Sequence, residues 1–211
     1  PNKQTLVQVA GNDIPFGDVT FQIGGVHVGF EICEDAWVEE RPAARLASRK
    51  VGVLLNPSAS HFAFGKHQIR RQLLMAGSQT IHGAYVYANL VGNEAGRAIY
   101  DGDTMIGVDG VVVASGPRFS YQDVVLTTAV VDVPVAESTT AVCCEFELFE
   151  TAEPVAADAV EECAWETSMV LKEEEFSRAL SLALFDYMRK SYSRGFVLSL
   201  SGGADSATVA V

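Results

Sequence analysis

The chain has few cysteines and no long apolar run. Of its 211 residues four are cysteines, none in a C-x-x-C pair: Cys33, Cys143, Cys144 and Cys163. Neither a zinc site nor a disulfide framework is indicated, so reduced thiols are expected. No apolar stretch approaches the ~20 residues that span a bilayer, and the first residues lack a signal-peptide layout. These absences predict a cytoplasmic protein that does not enter a membrane.

Positive charge is also scarce. Fifteen Lys and Arg residues stand against 27 Asp and Glu residues, which gives a formal net charge of −12. Nucleic acid is therefore not expected as a partner, because its phosphate backbone would be repelled. The one basic cluster, residues 66–71, is short and is expected to be a solvated or interface face of a helix. With 48% hydrophobic residues, the chain can bury the core of one or two domains.

A glycine turn, Ser201–Ser206, follows the apolar run Phe196–Leu200, which predicts a strand, a loop and a helix. Two adjacent glycines let the backbone approach a polyphosphate, and the helix beginning near Asp205 aims its N–H groups at the same place. No lysine or arginine follows the glycines, so a metal or distant residues must supply positive charge, and Asp205 is the natural metal ligand. The alternative is a plain helix start, in which Ser201 or Asp205 caps and the glycines turn.

The hexapeptide resembles the S-G-G-x-D-S signature of the ATP pyrophosphatase superfamily, whose members adenylate a substrate and release pyrophosphate. The resemblance implies ATP as a substrate and Mg²⁺ as its metal. Gly202 and Gly203 would contact phosphate through their backbone, Ser201 and Ser206 through their hydroxyls, and Asp205 through magnesium.

Cys33 directly follows the apolar run 26–32, which predicts a buried strand. A sharp turn after that strand would expose the sulfur, and the following N–H groups could stabilise an oxyanion, as acyl transfer requires. Cysteine suits this role because its thiolate readily forms a thioester. The alternative is that Cys33 is a small buried hydrophobic residue.

Four segments from Gly29 to about Val133 resemble the C-terminal two-thirds of a nitrilase-type (carbon–nitrogen hydrolase) domain: G-F-E-I-C-E-D-A-W, L-L-N-P-S-A-S, Y-V-Y-A-N-L-V-G-N and Y-D-G-D-T-M-I-G-V-D-G. Cys33 aligns with the nucleophile of that family, whose general base is a glutamate and whose lysine helps to hold the oxyanion. Both precede the cysteine. Before Cys33 the candidates are Lys3 and Glu31, and neither has the family's local context. The catalytic glutamate and lysine are therefore expected to lie outside this chain, which leaves the cysteine site incomplete.

A nitrilase-like domain followed by S-G-G-x-D-S resembles the glutamine-dependent NAD synthetases over nearly all of the chain. The resemblance implies hydrolysis of glutamine to glutamate and ammonia through a cysteinyl thioester. ATP would then adenylate nicotinic acid adenine dinucleotide, and ammonia would displace AMP to give NAD. It also implies a homo-oligomer.

Four residues besides Cys33 are implied in glutamine binding. Ser60 and Lys66 match family residues that hold the amino and carboxylate groups of the substrate, and Glu34 and Trp37 are expected to line the same pocket. The alternatives are a turn serine, a solvated lysine and a core tryptophan.

Alternating apolar runs and amphipathic stretches predict an α/β fold, which the resemblance specifies as a partial nitrilase-like α-β-β-α sandwich followed by the start of a Rossmann-like ATP pyrophosphatase domain. The predicted divisions are a glutaminase domain at 1–135, an acidic connector at 136–170 and the start of the ATP-binding domain at 171–211. Predicted helices are 41–49, 67–82 and 172–192; predicted strands are 26–32, 51–55, 85–90, 104–108, 111–114, 124–133 and 196–200. Asp109-Gly110 predicts a hairpin turn.

Two other interpretations stay open. The first is a stand-alone amidase or nitrilase acting through Cys33, in which the glycine loop is a coincidence. The second is a catalytically inert piece with a structural or assembly role.

Overall fold

The computed structural model describes residues 4–94, 96–134, 142–144 and 163–210. The strands are β1 Thr5–Val9, β2 Asn12–Phe16, β3 Phe21–Ile23, β4 Val26–Phe30, β5 Val53–Ser58, β6 Ala84–Asn89, β7 Val91–Glu94, β8 Ala98–Asp101, β9 Thr104–Val108, β10 Val111–Ser115 and β11 Val142–Cys144. The α-helices are α1 Pro42–Ser48, α2 Lys66–Ile81, α3 Leu171–Lys190 and α4 Ala204–Ala210, and two 3-10 helices span Cys33–Trp37 and Ala164–Thr167. The predicted boundary at 135 and most of the predicted connector lie outside the described residues.

Seven strands form one mixed sheet in the order β10-β9-β6-β5-β4-β3-β11. Strands β4, β5 and β6 are parallel neighbours, joined by α1 and then by α2. Such β-α-β connections bring the carboxyl ends of consecutive strands to one edge of the sheet. Antiparallel β9 starts at that same edge, beside the end of β6. The predicted α/β class is confirmed.

The main core lies between this sheet and the helices α1 and α2, which also contact each other. Its fully buried members include Leu46 from α1, Leu74 from α2 and Leu54 from β5. Two glycines let α2 lie close to the sheet: a Cβ on Gly77 would come within 2.6 Å of the Tyr85 ring, and one on Gly107 within 2.3 Å of a Leu74 methyl. Close packing of this kind leaves no room for larger side chains.

The hairpin of β7 and β8 carries the long helix α3. The Asp186 carboxylate, on a side chain only 1% exposed, accepts the Asn93 N–H at 2.6 Å, and Gly92 leaves room for it because a Cβ there would lie 2.5 Å from the same carboxylate. Buried Arg118 forms a second link, donating to Glu175 of α3 at 2.8 Å. The helix predicted at 172–192 is confirmed, and it packs on the strands that precede it.

The predicted helices near 41–49 and 67–82 and the predicted hairpin turn are also confirmed. Asp109 and Gly110 both have positive φ between β9 and β10, as a tight hairpin requires. The strand predicted at 124–133 is wrong: its residues alternate between exposed and half-buried, but they form no ladder with a described strand. The strand predicted at 196–200 is wrong for the same reason, and Val197 is fully exposed. A strand needs a neighbour to bond its backbone, and apolar alternation does not supply one.

Within the described ranges, no helix combines the length and apolar character needed to cross a bilayer.

Candidate active site

The candidate catalytic residues gather at the carboxyl edge of the parallel strands. Cys33 follows β4, Ser60 follows β5, and Asn89 is the last residue of β6. Asp101 is the last residue of β8, and Asp103 lies on the turn that leads from it into β9 at the same edge. Ligands of open α/β sheets bind at this edge, because the loops after the strands meet there.

Cys33 occupies a tight turn with a strained backbone. Its φ is 49°, a left-handed conformation that costs a residue with a Cβ about 1 kcal/mol or more. Asp35 closes the turn around it: the Ile32 N–H donates to the Asp35 carboxylate at 3.1 Å, and the Asp35 N–H donates to the Ile32 carbonyl at 3.0 Å. The thiol is half-buried and not in a disulfide. Strained residues at strand ends are typical of functional sites, and this turn has the form of a nucleophile elbow.

Glu31, two residues before the nucleophile candidate, is a structural anchor. Its side chain is fully buried. The donors to its carboxylate are Arg41 Nη2 at 2.7 Å, Tyr85 Oη at 2.6 Å and the Ala43 N–H at 3.2 Å. Burial, followed by the charge and hydrogen bond of Glu31, raises the pKa of Tyr85. A carboxylate held by this many donors is not free to act as a general base. Lys3, the candidate for the family's catalytic lysine, lies outside the described residues.

Lys66 and Trp37 meet beside Cys33. The Lys66 ammonium lies 5.4 Å from the centre of the Trp37 ring and donates to the His61 carbonyl at 3.0 Å. Burial and then the nearby Arg70 charge lower the pKa of Lys66, while a Cys33 thiolate acts to raise it, so the thiol is within electrostatic range. Lys66 is also the first residue of α2, where a cation is disfavoured by the helix dipole. Positive potential is therefore concentrated where an anionic substrate group would bind.

Ser60 is 6% exposed, and both its backbone N–H and its backbone carbonyl form hydrogen bonds with side chains. Its N–H donates to Asn89 Oδ1 at 2.8 Å, and its carbonyl accepts from Asn89 Nδ2 at 2.9 Å and from Arg70 Nη2 at 2.9 Å. The structure thus brings Cys33, Trp37 and Lys66 together and fixes Ser60 at the same edge. Glu34 is exposed on the 3-10 helix and has no hydrogen bond or ion pair with any residue the structure describes.

The sequence prediction missed the polar residues behind this site. Arg70 was expected on a solvated or interface face, but it is 2% exposed and pairs with Asp101 at 2.6 Å. Asp103 bonds His67 Nδ1 at 2.9 Å. Burial alone would raise the pKa of Asp103, but His67 and Arg70 outweigh it and hold that pKa below its ordinary value. One feature of the sequence could have indicated these residues: polar residues stand at the ends of several apolar strands.

The glycine turn leads directly into α4, as predicted. Gly202 has a φ of 80°, which a side chain would strain. The Ser201 and Ser206 hydroxyls lie 3.1 Å apart, and Ser206 Oγ also donates to the Gly203 carbonyl at 3.1 Å. Asp205, in the first turn of α4, is exposed.

A test of the metal prediction starts from the donor set. The described part of the chain contains no group of three or more His, Cys, Asp or Glu side chains able to hold a metal ion. Magnesium does not need such a group, since it is commonly bound by one or two carboxylates with water and substrate phosphates. The exposed Asp205 carboxylate beside two serine hydroxyls fits that mode of binding.

Known proteins resemble this chain over most of its length. Residues 3–141 match the family model described as carbon-nitrogen hydrolase. The glutamine-dependent NAD(+) synthetase of Oryza sativa subsp. indica is 34% identical over 97% of this chain and 30% of the relative's own length. The crystal structure of a glutamine-dependent NAD(+) synthetase from Cytophaga hutchinsonii aligns with a TM-score of 0.67 and 39% identity over 98% of this chain and 28% of that chain.

A third match extends the likeness in fold. The glutamine-dependent NAD+ synthetase from Acinetobacter baumannii, in complex with ADP, aligns with a TM-score of 0.60 over 97% of this chain and 31% of that chain, at 24% identity. The identities of 34% and 39% to the Oryza and Cytophaga proteins confirm the resemblance to glutamine-dependent NAD synthetases. The chain spans about 30% of the length of the curated relatives that it matches.

Proposed function

Because the chain belongs to the carbon–nitrogen hydrolase family, we propose that it takes part in glutamine-dependent NAD synthesis. It would supply the cysteine nucleophile of a glutaminase and the phosphate-binding loop of an ATP-dependent synthetase. The observation that carries the proposal is the strained turn of Cys33 at the sheet edge, beside Lys66 and Trp37. Similarity to NAD synthetases along almost the whole chain supports the pairing of the two activities.

In the glutaminase step, the Cys33 thiolate attacks the side-chain amide carbon of glutamine. The C–N bond breaks, ammonia leaves with a proton from a general acid, and a thioester remains. Water then cleaves the thioester to release glutamate and restore the thiol. The strained turn serves this chemistry because it holds the sulfur in one place at the end of a rigid strand.

Recognition of glutamine is assigned to the loop after β5. Lys66 at the positive end of α2 pairs with the α-carboxylate of the substrate, and the Ser60 hydroxyl bonds one of its polar groups. Trp37 forms an apolar wall that keeps the Lys66 ammonium in place through a cation–π contact. Glu34, exposed next to the nucleophile, is available for the substrate ammonium group.

We expect the general base and the oxyanion lysine of the family to lie outside this chain. Glu31 is committed to Arg41 and Tyr85 and does not serve as that base. The printed chain alone is therefore expected to release no ammonia from glutamine.

In the synthetase step, the carboxylate of nicotinic acid adenine dinucleotide attacks the α-phosphate of ATP and displaces pyrophosphate. Ammonia then attacks the resulting acyl adenylate and displaces AMP, which gives NAD. Gly202 and Gly203 approach the phosphates by their backbone, and Ser201 and Ser206 bond them by their hydroxyls. Magnesium would be held by Asp205 and would neutralise phosphate charge.

Covalent labelling tests the glutaminase half directly. The complete polypeptide encoded by the gene is treated with 6-diazo-5-oxo-L-norleucine, an electrophilic glutamine analogue, or with its D-enantiomer, and the modified peptide is identified by mass spectrometry. We expect labelling of Cys33 by the L form at least about tenfold faster than by the D form, since one lost charge pair is worth about that factor. Cys163→Ala is the matched control, because Cys163 is also a half-buried free thiol. In this variant Cys33 should be labelled at the wild-type rate. Equal labelling by both enantiomers would contradict the assignment.

The alternative function and the expected oligomeric state can be tested on the same polypeptide. A stand-alone amidase is the outcome if the labelled polypeptide hydrolyses glutamine but forms no NAD under any condition. A cytoplasmic homo-oligomer is the expected state, and sedimentation velocity of the complete polypeptide measures the oligomeric part of that expectation.

A further inference from the structure

We propose that Arg70 is a positioning residue for glutamine: its buried guanidinium fixes the loop that carries Ser60 and leads to Lys66. The inference rests on the proposed glutaminase function and adds a residue that does not touch the substrate. Its basis is a set of hydrogen bonds to the loop backbone and to two aspartates.

The Arg70 side chain is 1% exposed and its two Nη atoms have separate tasks. Nη1 pairs with Asp101 at 2.6 Å and with Asp103 at 3.3 Å. Nη2 donates to the Ser60 carbonyl at 2.9 Å and to the His61 carbonyl at 3.3 Å. One side of the guanidinium is thus held by the carboxylates, and the other side holds the loop.

Asn89 forms a second clamp on the same loop residue. Its amide bonds both the N–H and the carbonyl of Ser60, at 2.8 and 2.9 Å, and also donates to Asp101 Oδ1 at 2.8 Å. Asp101 therefore joins the two clamps, with one oxygen on Asn89 and the other on Arg70. This closed network ties the ends of β5, β6 and β8 together.

The loop depends on these bonds because it has little structure of its own. Residues 59–63 belong to no helix or strand. Two further backbone bonds anchor them, from the Phe62 N–H to the Ile99 carbonyl at 2.6 Å and from the Lys66 N–H to the Ala63 carbonyl at 3.1 Å. Arg70 follows Lys66 by four residues on α2, so the two side chains lie on one face of the helix. The same side chain therefore fixes the Ser60 loop and borders the lysine that would pair with the substrate.

A guanidinium is required for this arrangement, because a lysine ammonium cannot present two parallel pairs of donors in a fixed plane. Arg70→Lys keeps the charge beside Asp101 but loses the fork that reaches the loop. We expect the Ser60 loop to shift, and misplacement of a binding group by about 1 Å costs about a hundredfold in kcat/KM.

The test compares steady-state kinetics of the complete polypeptide with glutamine and with ammonium as nitrogen source. Arg70→Lys should raise KM for glutamine about ten- to a hundredfold, change kcat far less, and leave the ammonium-dependent rate unchanged. Arg118→Lys is the matched control, because Arg118 is equally buried and also paired with two carboxylates, but it bonds Glu166 and Glu175 instead of the loop. The control should keep the wild-type KM.

An unchanged KM in Arg70→Lys, or an equal rise in Arg118→Lys, would overturn the proposal. If Arg70→Lys does not fold, Asp101→Asn tests the proposal instead, since it keeps the side-chain shape and removes the charge that fixes Arg70. A raised KM for glutamine in this variant supports the proposal, and an unchanged KM refutes it. A wild-type enzyme without glutamine-dependent activity would overturn the proposed function itself. That outcome is distinct from failure of the Arg70 proposal, because it is seen in the wild type and not only in the variants.

Discussion

Replacing Glu31 by glutamine tests whether this buried carboxylate is structural. Its side chain is 0% exposed, and it accepts bonds from Arg41, Tyr85 and the Ala43 N–H. Breaking a buried ion pair costs about 3–5 kcal/mol. The lower end applies here, because the Arg41 side chain is 15% exposed and also bonds the Leu73 carbonyl at 3.0 Å. We therefore expect Glu31→Gln to lower the free energy of unfolding by about 3 kcal/mol.

Urea denaturation of the variant, with an unchanged m-value, measures this loss. A cost of ~3 kcal/mol corresponds to a fall in Tm of about 6–12 °C for a chain of this size. Tyr85→Phe removes a single donor to Glu31 and should cost about 1–2 kcal/mol, and the two changes should not add because they share one bond. Below the transition, iodoacetamide should still alkylate Cys33 in Glu31→Gln. A loss of stability under ~1 kcal/mol would refute the structural role.

Three further predictions concern packing, acid stability and nucleotide chemistry. Gly77→Ala should cost about 1–3 kcal/mol in urea denaturation, because its Cβ would lie 2.6 Å from the Tyr85 ring; Gly107→Ala, which meets a flexible Leu74 methyl, should cost less, and the reverse order would contradict the packing. Because the pKa of Asp103 is lowered in the folded state, its stabilisation is present above the unfolded pKa of about 4 and is lost as the pH falls below it, through the folded value. Asp103→Asn should therefore flatten the fall in Tm below about pH 4, whereas an unchanged slope there would contradict the pairing. Asp205→Asn should abolish ammonium-dependent NAD formation and spare labelling of Cys33, and normal NAD formation would exclude Asp205 as the metal ligand.

The helices and central strands were predictable because each carries its own local signal. Pro42 opens α1, Asp109-Gly110 turns the hairpin, and α3 has a regular apolar stripe. The runs at 124–133 and 196–200 have strand-like apolar patterns, but a ladder depends on a partner strand, which a local pattern does not contain. The hairpins β1–β2 and β7–β8 were missed because their strands have only four or five residues, and one strand of each hairpin begins or ends with two adjacent polar residues.

The residues expected to contact the substrate could be predicted from the sequence, but the buried residues that hold them could not. Cys33, Ser60 and Lys66 follow strand ends or begin a helix, so their position along the chain indicates a sheet edge. In the sequence, Arg70 is one more basic residue of a helix predicted to lie at the surface. Its burial depends on Asp101, thirty-one residues away, and pairing over such a distance appears only when the strands are assembled.

The central claim is that Cys33 produces ammonia for a separate ATP-dependent site, and nitrogen-source dependence tests it most directly. NAD formation from nicotinic acid adenine dinucleotide and ATP is measured for the complete polypeptide and for Cys33→Ala, with glutamine or with ammonium. Loss of the glutamine-dependent rate with retention of the ammonium-dependent rate is the predicted result. Equal rates from both sources in Cys33→Ala would make the cysteine structural, and the absence of NAD formation from either source in the wild type would contradict the synthetase assignment.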